Sequence, residues 1–457
     1  MSKIKLIIGN SESKIENLPK EHHKPLKELL SYIPASQTYG SSYRFTPKRC
    51  LIDKAGIFPS GLQYIIESYF KMVGLKYQIQ SLRRLPEAIS DYPINLPCTP
   101  YTEQEEAANA CLNATRGIVV APTGMGKSII AALIISKVKV KTLLVVPTVE
   151  LREQLTKSLS QYFSTTKCGR ICDNPDIAVE NVDALDPNKI LTDYHCVIID
   201  EFHHSGAKSY RKLNKKAWKN VYFKFGLTAT PFRSQDRERL LLEGVLSKVI
   251  YSVDYYKAVS KGYIVPIEAY YYEVPQSDTS GLKNNWHSVY SALVTNNGGR
   301  NALIGDILRG LKEAKIPTLC LVKEITHGEA LRNNGEFYFA NGENSDTPHL
   351  IKLFNSEKLT TLIGTNGVIG EGIDTKPAEF IIIAGLGKSK NAFMQQVGRG
   401  LRVHKEKTSC KIILFKDNSH KWTKRHFAEQ VKILREQYGI SPEKLTFENS
   451  VDKSTKA

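Results

Sequence analysis

The segment Ala121-Pro122-Thr123-Gly124-Met125-Gly126-Lys127-Ser128 carries the strongest chemical signal in the sequence. Its glycines allow a bend in which several backbone N–H groups converge on a phosphate, and a helix starting at Lys127 adds the positive end of its dipole. Lys127 is long enough to reach the β- and γ-phosphates of ATP, and the Ser128 hydroxyl is suited to Mg²⁺. Pro122, Thr123, Gly124, Met125 and Gly126 would line the cradle. Ala121 stands where the general pattern has glycine.

Asp200-Glu201-Phe202-His203 follows the apolar run Cys196–Ile199. A carboxylate at the carboxyl end of a strand faces the ligand crevice of an open α/β sheet. Asp200 is the candidate to hold Mg²⁺, and Glu201 to orient and deprotonate an attacking water. The adjacent His203 and His204 point in different directions and do not suggest a metal site. Leu227-Thr228-Ala229-Thr230-Pro231 also follows a strand and offers small hydroxyls near the phosphates. Farther on come Gly370-Glu371-Gly372-Ile373-Asp374, after Gly364-Thr365-Asn366, and Gln395-Gln396-Val397-Gly398-Arg399-Gly400-Leu401-Arg402. The last reads as helical, with Arg399 and Arg402 three apart on one face. Arginines so placed suit charge stabilisation on a transferring phosphoryl group, and Gln395 joins them as a catalytic candidate.

From about residue 101 strands alternate with helical patterns, the mark of a parallel sheet with crossover helices. Strands are expected at 117–120, 142–146, 196–199 and 225–227, then at 318–322, 361–363, 380–383 and 411–414. Leu303, Ile304, Ile307, Leu308 and Leu311 mark the buried face of a helix. Residues 1–98 read as a small α+β module, with Phe58-Pro59-Ser60-Gly61-Leu62 before a helix and a strand from Leu75 to Ile79. Pro93, Pro97 and Pro100 mark a linker. The expected division is 1–98, 99–250, a connecting element 251–295 with a Tyr-rich strand from Ile264 to Val274, 296–415, and a basic helix and tail at 416–457.

At 457 residues the chain is long enough for two or three domains. No stretch approaches the roughly 18 apolar residues that span a bilayer, so no membrane partner is expected. The eight cysteines form no CxxC pair; reduced thiols and a cytoplasmic setting are expected. The net charge of +17 favours a polyanionic partner. Between Ser205 and Lys224 stand seven Lys/Arg and no acidic residue.

In this order the motifs resemble those of superfamily-two helicases of the DExH type, across roughly residues 99 to 415. The resemblance implies two RecA-like parallel-sheet lobes with an ATP site in the cleft between them, and the small N-terminal domain as an accessory. It makes Lys127, Asp200, Glu201, Gln395, Arg399 and Arg402 the catalytic set, and puts Gly372 and Asp374 near the nucleotide. Pro147 and Thr148, in a segment resembling motif Ia, and Thr365 would contact the nucleic-acid backbone. Gln104, 23 residues before Lys127, stands where the family reads adenine. An amide can pair with the adenine edge as both donor and acceptor. The arginine usual before the aromatic residue near Gln104 is missing, which leaves adenine selectivity less secure than phosphate binding. Within the superfamily the chain resembles the UvsW- and RecG-like branch-migration group, which implies a monomeric motor acting on branched or duplex DNA. The motifs leave open an RNA helicase, an ATP-gated nucleic-acid-binding protein, and a P-loop ATPase acting on protein.

Overall fold

The computed structural model of the chain describes residues 3–33, 48–88, 91–202, 207–229, 239–332, 335–369, 375, 377–387, 389–405 and 407–446. The chain divides into two compact units, Met1–Ala121 with Gly126–Val253, and Pro122–Met125 with Asp254–Ala457.

The first unit is built on an all-parallel sheet of seven strands. Its spatial order is Val249–Ser252, Arg116–Val120, Phe223–Thr228, Cys196–Asp200, Thr142–Val146, Ile177–Asn181 and Cys168–Gly169. The central strands are runs of Val, Ile and Leu buried on both faces, as a sheet covered by helices requires. Helix Lys127–Val138 is apolar on nearly every side from Ile130 to Ile135 and is correspondingly buried. Two strands that arrive late in the chain, Cys196–Asp200 and Phe223–Thr228, insert between Arg116–Val120 and Thr142–Val146. Register pairs Asp200 with Leu227 and Thr228 with Val120, so three carboxyl ends stand level.

The second unit contains another all-parallel sheet of seven strands, ordered Tyr338–Ala340, Thr361–Thr365, Thr318–Val322, Phe380–Ile383, Cys410–Lys416, Ile267–Glu273 and Glu443–Lys444. Helix Gly298–Glu313 buries Leu303, Ile304, Ile307, Leu308 and Leu311, the face that its periodicity predicts. The Tyr-rich segment expected in a connecting element is the strand Ile267–Glu273, in register with Cys410–Lys416 along its whole length. The basic C-terminal helix spans Lys421–Tyr438. No helix among the described residues is long and apolar enough to cross a membrane.

In the N-terminal module a four-stranded sheet, Ile57–Pro59, Glu12–Glu16, Ile4–Ile8 and Tyr77–Ser81, packs with helix Gln63–Met72. Its last strand starts two residues later than the apolar run suggests. Gly74 adopts φ +71° and the Leu75 N–H returns to the Phe70 carbonyl at 2.9 Å, so Leu75 closes the helix.

This module shares a continuous apolar core with the first seven-stranded sheet, from Leu6, Phe58 and Leu62 through to Trp218, Leu241 and Val245. Gly61 lies directly on the backbone of Glu243 and Gly244, where a Cβ would collide with carbonyl groups. The Tyr64 hydroxyl donates to Glu243 Oε2 at 2.7 Å. Three cations mark the contact. Lys224 Nζ, fully buried, donates to the Asn10 carbonyl at 2.8 Å, Ser11 Oγ at 2.9 Å and Asn214 Oδ1 at 2.7 Å. Arg116 Nη2 donates to the same Asn10 carbonyl at 2.9 Å. Arg83 Nη2 donates to the Tyr222 carbonyl at 2.8 Å, with its guanidinium 4.2 Å from the centroid of the Tyr222 ring. None of the three has an ion-pair partner among the described residues. Burial, then the neighbouring Arg116 and Arg83 charges, hold the Lys224 amine far below its usual range, and burial brings Arg116 down to about 9. Lys224 is therefore no part of a basic surface, although it falls in the Lys/Arg-rich stretch 205–224.

Asn214 accepts from both Lys224 and Ser11. Asn214→Ala removes that acceptor from a buried amine and should destabilise the fold by about 1–3 kcal/mol. Gly61→Ala, which forces backbone apart, should lower the thermal midpoint further. Differential scanning calorimetry on the full chain checks both, and an unchanged midpoint in either variant contradicts the docking described.

Candidate functional site

The level carboxyl ends of three strands bring the sequence-predicted residues of the first unit together. Arg116–Val120 leads through Ala121 into the glycine-rich segment, where Gly124 and Gly126 adopt φ of +91° and +73°. Those left-handed values are the reason for glycine at both positions. Gly126 caps helix Lys127–Val138, which places Lys127 and Ser128 in its first turn. Lys127 Nζ pairs with Glu201 Oε1 at 2.9 Å, both side chains largely buried. Glu201 follows the strand Cys196–Asp200 with φ +47°, an uncommon conformation for a residue with a Cβ. Its N–H holds the turn by donating to the Leu227 carbonyl at 2.9 Å and to Asp200 Oδ1 at 3.0 Å. Thr228 Oγ1 lies 3.5 Å from Glu201 Oε2.

Burial, and secondly the Glu201 carboxylate, push Asp200 up to about 7, against the pull of Lys127 and the Glu201 N–H. A carboxyl held near neutrality for want of positive charge is a fitting ligand for a divalent cation, which would return it to the ionised form. Ser128 supplies the second oxygen of the expected pair. No cluster of three His, Cys, Asp or Glu able to hold a metal occurs among the described residues.

Gln104 is buried in helix Thr102–Ala114, where its Oε1 accepts from the Tyr101 N–H at 2.8 Å. A Cβ on Gly126 would stand 2.7 Å from Gln104 Nε2, so this amide abuts the phosphate-loop backbone. Thr148 caps helix Val149–Tyr162 by accepting from the Leu151 N–H at 3.3 Å. The Pro147 carbonyl accepts from Asn181 Nδ2 at 3.1 Å. Asn181 thus fixes the turn after Thr142–Val146, a role that nothing in the sequence signals.

In the second unit Thr365 is the last residue of its strand and is buried. Gln395 lies in helix Lys390–Gly398, partly exposed. The next residue, Gln396, donates from Nε2 to Asn366 Oδ1 at 2.7 Å, tying two motif segments together through a pair that motif spacing does not reveal. The arginines do not share a helical face. The helix stops at Gly398, and the N–H groups of Arg399, Gly400 and Leu401 bond three residues back, to Gln396, Val397 and Gly398. Two glycines weaken the helix here, and Gly400 packs on Cys410 and Ile381 where no Cβ fits. Arg399 is buried and Arg402 partly exposed. Gly372, Asp374, His203, His204, Thr230 and Pro231 lie outside the described residues.

Residues 71–233 match the family described as Type III restriction enzyme, res subunit. Over 418 residues the chain is 24% identical to the ATP-dependent DNA helicase UvsW of phage T4, covering 81% of this chain and 83% of that protein. These matches make the chain similar to helicases and restriction-enzyme motor subunits. It is also 28% identical, over 243 residues, to putative helicase 22 of a Sulfolobus islandicus filamentous virus, spanning 49% of this chain but only 43% of that relative's length. A fragment of a putative HsdR subunit of a type I restriction enzyme from Vibrio vulnificus shares the fold, with a TM-score of 0.57 over 95% of this chain and 84% of that one, at 16% identity.

Gly126→Ala should leave the protein folded yet weaken ATP binding. A left-handed alanine costs about 1–2 kcal/mol, close to a tenfold loss of affinity, before any displacement of Gln104. Titration with a fluorescent ATP analogue checks this, with circular dichroism to verify the fold.

Proposed function

We propose that this chain is an ATP-driven DNA translocase that remodels branched DNA by unwinding, branch migration or fork regression. The observation that carries the ATPase part is the Lys127–Glu201 ion pair, 2.9 Å long, beside Asp200 at the level strand ends. In the resting site Lys127 neutralises the carboxylate that must later act as base. An incoming γ-phosphate competes for Lys127 and frees Glu201 to accept a proton from the attacking water. Mg²⁺, when bound by Asp200 and Ser128, neutralises charge on the phosphate oxygens. Gln104 serves the adenine. Arg399 and Arg402, with Gln395, stabilise the charge that develops as the γ-phosphate leaves, and Gly372 and Asp374 lie near the nucleotide.

DNA as the track rests on the similarity to UvsW, whose name states that substrate, and on the charge of +17. Pro147, Thr148 and Thr365 hold the backbone, so binding selects structure rather than sequence. Residues 1–98, with 14 Lys/Arg against 8 Asp/Glu, form the accessory part that favours branched substrates, on a motor that works as a monomer. The two seven-stranded sheets with their helices act as the two motor lobes, the second taking in the strands Ile267–Glu273 and Glu443–Lys444. ATPase rates with single-stranded, duplex, forked and four-way DNA beside matched RNA test this reading. The expected order puts branched DNA first, and equal or greater stimulation by RNA overturns it.

Glu201→Gln should bind ATP and fail to hydrolyse it, whereas Lys127→Ala should lose affinity and hydrolysis together. Filter binding and phosphate release at saturating DNA separate the two outcomes.

Arg399→Lys keeps a charge but loses the planar fork. Its kcat should fall by at least about tenfold, a part of the roughly 10³–10⁵ that a finger residue contributes, with ATP affinity little changed. Steady-state ATPase kinetics provide the check.

A further inference from the structure

Two of the chain's three tryptophans meet outside every motif considered so far. Trp218 is core, but Trp286 and Trp422 are only half-buried. Their rings lie 6.3 Å apart at 83°. Trp286 opens helix Trp286–Tyr290 and also packs on Tyr290 at 5.4 Å and His426 at 4.1 Å. Trp422 lies in the first turn of Lys421–Tyr438, against the capping His420 at 5.0 Å. With Tyr290, Val294 and Leu386, Trp286 forms a small apolar cluster separate from the main core of the second unit.

The setting of this ledge is the carboxyl edge of the second parallel sheet. Three neighbouring strands, Thr318–Val322, Phe380–Ile383 and Cys410–Lys416, end there in Lys323, Leu386 and the turn leading to Lys421. That edge is where open parallel sheets hold ligands. Its exposed charge is positive, with Glu324 half-buried beside Lys323 and Asp417 buried after the last of these strands. Lys323 Nζ stands 4.9 Å from the centroid of the Tyr290 ring, and Lys421 Nζ 5.4 Å from that of Trp422. Lys424 and Arg425 are exposed, and the helix has no acidic residue in its first turn. Cations at the positive end of a helix dipole oppose that dipole, and a bound polyanion would offset the cost. Partly exposed indoles framed by lysines and an arginine, on a sheet edge, suit a strand with unpaired bases. A base presents a π-face for stacking, and the adjoining phosphate presents a charge.

We propose that Trp286 and Trp422, framed by Lys323, Lys421, Lys424 and Arg425, form a platform for single-stranded nucleic acid on which unpaired bases stack. The proposal rests on the reading of the chain as a nucleic-acid motor and adds the residues that hold a separated strand. Duplex DNA keeps its bases stacked on each other and gains only the phosphate contacts, so the platform favours single-stranded segments and the arms of forks.

The test uses the full chain and fluorescein-labelled oligo-dT of 20 nucleotides, with a blunt duplex as control. Unlabelled oligo-dT should quench the intrinsic tryptophan fluorescence of the parent protein. The quench should vanish in the double variant Trp286→Phe/Trp422→Phe, in which Trp218 still reports the fold. Trp286→Ala and Trp422→Ala should each weaken oligo-dT binding by about tenfold, within the range of one lost base stack, and change duplex binding by less than about twofold. Phenylalanine should restore most of the affinity. Lys421→Gln/Lys424→Gln/Arg425→Gln alters exposed side chains only and should reduce the slope of log K against log salt by about 2, from the loss of three single-strand phosphate contacts. ATPase activity without nucleic acid should match the parent in every variant. If the parent binds oligo-dT without a change in tryptophan emission, and the charge variant keeps the parental salt slope, the platform is refuted while the motor reading stands. If the parent neither binds DNA nor is stimulated by it, the motor reading falls and the platform with it. An alanine variant that fails to fold leaves the quenching and salt-slope outcomes to decide.

Discussion

Strands that all run one way must deliver their chains to the same edge of the sheet, and the rest of the first unit's chemistry follows from that constraint. The loops after Val120, Asp200 and Thr228 are far apart in sequence, yet pairing of the strands brings their starting points level. A lysine, two carboxylates and a hydroxyl then share one partly desolvated space. Desolvation there strengthens the Lys127–Glu201 attraction and makes the neighbouring Asp200 reluctant to ionise. The site at rest is short of positive charge for its carboxylates, and short of negative charge for its phosphate-directed N–H groups. A metal–nucleotide pair would supply both.

The opposite edge of the same sheet is governed by a different electrostatic solution. Arg116 and Lys224 stand at or near the amino ends of the strands that feed the phosphate loop and the Thr228 turn, and both reach the Asn10 carbonyl. Neutral oxygens, not carboxylates, are their acceptors. Such an arrangement avoids a buried ion pair but depends on correct placement of a few acceptors. The N-terminal module provides those acceptors, so its first turn is tied to the two strands that carry nucleotide-site residues at their far ends.

Much of this was legible in the residues. The strand runs, the glycine-lysine-serine turn and the Asp-Glu pair are local patterns with local causes, and the pairing of neighbouring strands brought them together without further information. The Leu303-to-Leu311 face was readable for the same reason, since periodicity and burial express one geometry. What escaped was set by contacts distant in sequence. The helix expected over Gln395–Arg402 ends at Gly398, because Gly400 answers to Cys410 and Ile381 rather than to its own helix. Lys224 looked like surface charge because two of its three acceptors lie more than two hundred positions upstream. The Tyr-rich strand Ile267–Glu273 looked like a connection because its partner comes near the end of the chain. Asn181 and Asn366 gave no signal at all; single amides at strand ends acquire meaning only from what they touch.

The continuous core between the N-terminal module and the first sheet bears on how such a chain can be recombined. A part that carries its own core can be lost, gained or exchanged during descent without harm to its neighbour. Here the boundary between 1–98 and the sheet runs through shared apolar side chains and through carbonyls that solvate another segment's cations. A foreign module would have to present acceptors at the positions of Asn10 and Ser11, and a surface that admits the Glu243–Gly244 backbone as closely as Gly61 does. The piece that could travel intact between motors is therefore the module together with its sheet.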